Sequence, residues 1–187
     1  MYRYLTILLF VLFPLTLSAS ALSSDKPEHI RLLRGYDALR LFLEDEQYLT
    51  TVRRLKNVIT FSGINQPLAN LVDDIADISE TALEELEDLA EQTPVIQFGV
   101  LDEASIAVST LDSMRYATAK TFLKDSENFE KNLLLSQVQI LPVIAHLAKQ
   151  LEELETSAIR KYWLHKLATK YSTLYQRAYA QLVIVAH

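Results

Sequence analysis

Glycine scarcity is the strongest restriction on what this chain can fold into. Only three glycines occur in 187 residues: Gly35, Gly63 and Gly99. Sheet proteins use many, because tight turns between strands need backbone conformations that other residues resist. Prolines are also sparse, and beyond residue 26 they are Pro27, Pro67, Pro94 and Pro142. The stretches between these breaks are rich in Leu, Ala, Glu, Lys and Gln, the residues that favour helix. The pattern predicts long helices joined by few connections.

Apolar spacing divides the chain into five helices. The first starts near Asp25, a capping residue with Pro27 in the first turn and Glu28 three positions on. Leu32, Tyr36, Leu39 and Leu43 share one face. Tyr48, Val52, Leu55 and Ile59 continue at helical spacing, but the phase slips across Glu44–Glu46, which predicts a bend or a change of packing partner. Gly63 and Pro67 mark an end and a new start. The second helix runs from about Pro67 to Gln92, with Leu68, Ile75, Ala82 and Leu89 recurring every seven residues and Leu71, Ile78 and Leu86 beside them. Thr93–Pro94 stops it. Val95 to Leu101 reads as an apolar connector packed on the bundle, since a lone strand has no partner.

Asp102 caps a third helix carrying Ala104, Val108, Leu111, Thr118 and Phe122, and the polar run Lys124 to Asn128 breaks it. The fourth carries Phe129, Leu133, Ile140, Ile144, Leu147, Leu151 and Leu154, with Pro142 inside it expected to cause a kink. The fifth carries Leu164, Leu167, Tyr171, Leu174, Ala178, Leu182 and Val185. Its face is out of phase with the fourth, which places a break at Thr156–Ser157. The expected fold is all-α, an up-and-down bundle of four to five long helices.

The first 24 residues have a separate character. Arg3 precedes an almost unbroken apolar run from Leu5 to Leu17, and Ala19-x-Ala21 follows in the positions a signal peptidase reads. The run is about 13 residues, short of the roughly 20 that span a bilayer. Residues 1–21 are therefore expected to be a cleaved signal peptide, with residues 22–187 forming one exported, periplasmic or secreted domain. Retention as an anchor is the alternative. Cysteine is absent, so disulfides and thiolate chemistry are excluded and the domain depends on packing.

Charge is unevenly distributed. Residues 57–114 contain no Lys, Arg or His, and nine carboxylates lie between Asp73 and Glu91. After Glu155 there are no carboxylates, while Arg160, Lys161, Lys166, Lys170 and Arg177 follow. These faces either neutralise each other across the bundle or leave an acidic surface for a basic partner. The formal net charge of −6 and the small basic set argue against nucleic acid.

Asp73, Asp77, Glu80 and Glu84 share one helical face at i, i+4, i+7 and i+11. Carboxylates from one straight helix cannot wrap a hard cation, and no Glu-x-x-His occurs for a di-metal site. His29, His146, His165 and His187 show no zinc spacing. His146, near Pro142, reads as a partly buried histidine. Nucleophile elbows and phosphate loops are absent from the sequence. Tyr171, Tyr175 and Tyr179 form a stripe at i, i+4 and i+8, either as core packing or as a contact surface for a partner helix, a membrane surface or an apolar ligand.

The sequence reading is an exported, non-enzymatic binding or scaffolding module without a cofactor or metal. Its candidate interaction residues are Asp73, Asp77, Glu80, Glu84, Tyr171, Tyr175 and Tyr179. The alternatives are a carrier holding a small hydrophobic ligand or cofactor between helices near Pro142 and His146, and an enzyme with a dispersed site.

Overall fold

The computed structural model describes residues 25–51, 64–101 and 128–185, together with positions 109, 110, 113, 117 and 120. The described structure is all-helical, without strands. Its long helices are α1 (Asp25–Gln47), α2 (Gln66–Ala90), α3 (Phe129–Leu154) and α4 (Ala158–Val185). The expected signal segment, the apolar positions Val52, Leu55 and Ile59, and the third-helix face from Asp102 through Phe122 lie outside the described residues.

Each helix packs on two neighbours, α1 on α2 and α3, and α4 on the same two. Cross-helix partners give the directions. Arg177 meets Asp74 and Trp163 meets Glu85, so α2 and α4 are antiparallel. Arg40 faces Glu87, which sets α1 against α2. Tyr36 bonds Glu155, and Glu152 faces His165, which makes α3 antiparallel to α1 and α4. Thus α1 and α4 run one way, and α2 and α3 run the other. Helices α2 and α3 are therefore parallel. Between them in sequence, Ser109, Thr110, Ser113, Ala117 and Lys120 are helical and exposed.

The core is built from the predicted apolar faces. Leu68, Leu71, Ile75 and Leu86 of α2 are fully buried, as are Leu133, Leu141 and Ile144 of α3 and Leu164 of α4. Burial of this apolar surface drives association of the helices, at about 25 cal/mol per Å2. Gly35 marks a close approach of α1 to α3: a Cβ there would lie 2.5 Å from Leu151 Cδ2.

Helix ends follow local chemistry. Asn65 caps α2, its Oδ1 accepting from the Leu68 amide at 2.9 Å, with Pro67 in the first turn. Glu130 then accepts from the Asn65 amide and side chain, tying the start of α3 to the start of α2. The phase slip at Glu44–Glu46 coincides with the end of α1 at Gln47 and a turn at Tyr48. The break predicted at Thr156–Ser157 separates α3 from α4. Helix α3 continues through Pro142.

The connector after α2 lies on the bundle. Ile96 is buried, and Phe98 and Val100 pack against the core. The buried carboxylate of Asp37 accepts from the amides of Gly99, Val100 and Leu101 at 2.8, 2.6 and 2.7 Å. Gly99 has φ +84°, where a side chain would be strained. Three successive amides can converge on one carboxylate because this residue turns the backbone.

Candidate functional site

The described surface has one face of dense charge, the outer side of α2. Its apolar residues occupy the inner face completely, which leaves the carboxylates nowhere but outward. Asp77, Glu80 and Glu84 are exposed, and Asp73 is half-buried. Glu87, Asp88 and Glu91 extend the exposed acidic strip toward the end of the helix.

Basic α4 lies directly beside α2, yet its cations cover little of this strip. Arg177 bonds Asp74 at 2.6 Å across the surface. Arg160 turns inward. Lys166 sits over the Tyr162 ring on its own helix, 5.4 Å from the centroid. Trp163, rather than a cation, meets Glu85, donating Nε1–H at 2.8 Å. Among the described residues, Asp77, Glu80, Glu84, Asp88 and Glu91 have no cationic partner within ion-pair distance. Helix adjacency therefore does not neutralise the acidic face.

The tyrosine stripe divides. Tyr171 is fully buried, and its hydroxyl lies 2.6 Å from Ser79 Oγ on α2. Burial pushes its phenol well above the usual range, although the Ser79 hydrogen bond opposes this. Tyr175 is half-buried and packs against the core. Tyr179 is exposed, with its ring 6.1 Å from that of Tyr175. Only the distal part of the stripe reaches the surface, where Val183 and Ile184 are also exposed. The cause is register: Tyr171 faces the bundle interior, while the end of α4 has less covering it.

A second constellation sits inside the bundle and escaped the sequence reading. Glu155, at the α3–α4 corner, is 1% exposed, and Arg160 is 2% exposed. Arg160 donates Nε–H and Nη2–H to the Glu155 carboxylate at 2.8 and 3.1 Å. Its Nη1 reaches the carbonyls of Gln92 and Pro94 at 3.3 and 2.8 Å. Glu155 also accepts from Tyr36 Oη at 2.6 Å and from the Thr156 and Ser157 amides at 2.7 and 2.8 Å. Burial alone would raise the Glu155 carboxyl. Arg160, the Ser157 amide and Tyr36 outweigh it and hold the group at about 2. Burial and the Glu155 charge push the Tyr36 phenol far up, so it remains a donor. The signal available in the sequence was register: Arg160 falls on the apolar face, three, four and seven residues before Trp163, Leu164 and Leu167.

A cleft of about 240 Å3 opens beside this ion pair, walled by Leu32, Leu33, Pro94 and Ile96. Ligand pockets commonly start at roughly 300 Å3, and the Arg160–Glu155 charges that line it are engaged with each other. His146, on the outer face of α3, is exposed rather than partly buried. His165 is exposed, with Nδ1 3.3 Å from Glu152. Among the described residues no three His, Asp or Glu side chains converge as a metal site. No helix among them is long and apolar enough to cross a membrane.

Comparisons with protein-family models, curated proteins and solved structures found no match for this chain.

Proposed function

We propose that this chain is an exported helical-bundle binding module that engages a basic protein or peptide through the outer face of α2. The observation that carries this reading is the open acidic strip of Asp77, Glu80, Glu84, Asp88 and Glu91, left without cationic partners among the described residues although basic α4 lies alongside. Like charges held in a row repel, and a cationic partner relieves that repulsion while releasing the α2 face from a counterion atmosphere. Export rests on the apolar run and Ala19-x-Ala21.

The test is binding of a fluorescent Lys/Arg-rich peptide to the mature chain across a salt series. Affinity is expected to fall with salt, and Glu80→Lys with Glu84→Lys is expected to weaken it at least tenfold. The control is Glu28→Lys with Glu153→Lys, which changes net charge equally on other faces and is expected to have a smaller effect. Equal losses from both pairs would reduce the interaction to net charge and overturn the α2 site.

A further inference from the structure

Glu46 closes α1 inside the bundle. It is 6% exposed, and Gln137 of α3, with which it hydrogen bonds, is 2% exposed. Both side chains carry an unsatisfied acceptor: Glu46 Oε2 and Gln137 Oε1 have no hydrogen-bond partner. The buried pair Ser79–Tyr171 supplies the α2 and α4 members of the polar set, with Tyr171 close enough to feel the Glu46 charge. Glu46, Ser79, Gln137 and Tyr171 thus form a buried polar set to which every one of the four long helices contributes.

Two orphan acceptors on bonded neighbours call for one donor. A carboxylate cannot provide it, because an ionised Glu only accepts. The neutral acid can. With Gln137 Nε2–H donating to one carboxyl oxygen, a proton on Oε2 completes an acid–amide pair through Gln137 Oε1. An isolated buried carboxylate would be strongly disfavoured, whereas the satisfied neutral pair is tolerated.

We propose that Glu46 is held in the folded core as the protonated acid, paired with Gln137, so that the bundle carries a proton-dependent latch between α1 and α3. Burial is the largest influence on Glu46 and pushes its carboxyl up to about 8; Asp45, next in sequence, adds to this, and the Gln137 bond partly offsets it. Among the described residues, the polar side chains of the other helices placed with it are neutral. Gln137 comes from α3 and Ser79 from α2, and the Tyr171 phenol from α4 is itself pushed upward. Among the described residues no cation is placed to stabilise a Glu46 carboxylate.

The direction follows from linkage. Unfolded Glu46 loses its proton near the ordinary value of 4.5, while folded Glu46 keeps it to about 8. This group's contribution is complete below 4.5, declines as pH rises, and is gone above 8. In that window the folding equilibrium constant falls by up to tenfold per pH unit through this residue.

Urea unfolding of the mature chain from pH 5 to 9 at fixed ionic strength tests the latch against Glu46→Gln, which mimics the neutral acid. The wild-type folding constant, divided by that of E46Q, is expected to fall by at least a hundredfold between pH 5 and 8. A ratio constant within threefold overturns the proposal. Carbon-detected NMR titration of the wild-type Glu46 carboxyl gives the second reading, independent of whether the variant folds. A midpoint above 7 supports the latch; a midpoint below 5.5 overturns it.

Discussion

Arg160 is a single residue that joins three segments. Its guanidinium bonds Glu155 in the α3–α4 corner and carbonyls from the end of α2 (Leu89) and the connector beyond it (Gln92 and Pro94). A fixed planar fork suits this geometry, whereas a lysine ammonium presents one charge and cannot serve both sides. Removing one member of a buried pair leaves the other charged and dehydrated, at a cost of roughly 3–5 kcal/mol. Arg160→Met is therefore expected to destabilise the domain by about that amount in urea unfolding. Arg160→Met with Glu155→Gln is expected to recover part of it, because the orphaned charge is gone. A double variant no more stable than Arg160→Met would show that packing, not charge, dominates the corner. Tyr36→Phe removes only one hydrogen bond to a charged acceptor and should cost about 1.5–3 kcal/mol in the same assay.

At the scale of elements, α2 and α4 are antiparallel neighbours with opposite charge, but little of that charge is in contact. Asp74 and Arg177 form the one ion pair between them among the described residues, and both side chains are more than 40% exposed. Solvent screens such a pair, so its coupling should be about 0.2–1 kcal/mol and shrink with salt. A double-mutant cycle with Asp74→Ala and Arg177→Ala measures it. A coupling above 2 kcal/mol would mean that the charged faces organise helix pairing after all. The expected small value leaves apolar packing as what holds α2 against α4, consistent with the unbroken buried face of α2.

Across the whole molecule, two buried carboxyls, Glu155 beside Tyr36 and Glu46 near the end of α1, respond to pH with opposite sign. Glu155 is held down at about 2. Its contribution is present above the ordinary 4.5 and is lost as pH falls toward 2. Glu46 is raised to about 8, so its contribution is lost as pH rises from 4.5 toward 8. Each shift corresponds to a few kcal/mol at about 1.4 kcal/mol per unit. Stability is therefore expected to peak near pH 4.5–5, below the common optimum of roughly pH 5–8. Thermal unfolding across pH 2–9 checks this. A flat maximum centred above pH 7 would remove the buried Glu46 from the balance.

The helices themselves were legible from local chemistry. Few glycines, the seven-residue repeat from Leu68 to Leu89, the start at Pro67 and the corner near Thr156 are all short-range features. Each acts within a turn or two of helix, so a linear reading reaches them. Charge asymmetry was equally plain, but its consequence was not. Whether α4 covers the α2 carboxylates depends on rotation about two helix axes, which register alone does not set. Burial of Glu46, Asp37, Glu155 and Arg160 was decided only by tertiary structure. In sequence they resemble solvated charges, although Glu46 and Arg160 sit in apolar register, seven residues from Leu39 and Leu167 respectively. For Asp37, Glu155 and Arg160 partners make the difference, and several of those lie far away along the chain: Tyr36 and Glu155 are 119 positions apart. A charge enters a core only where distant groups satisfy it, and that condition is met by packing three or four helices at once, not by any one of them.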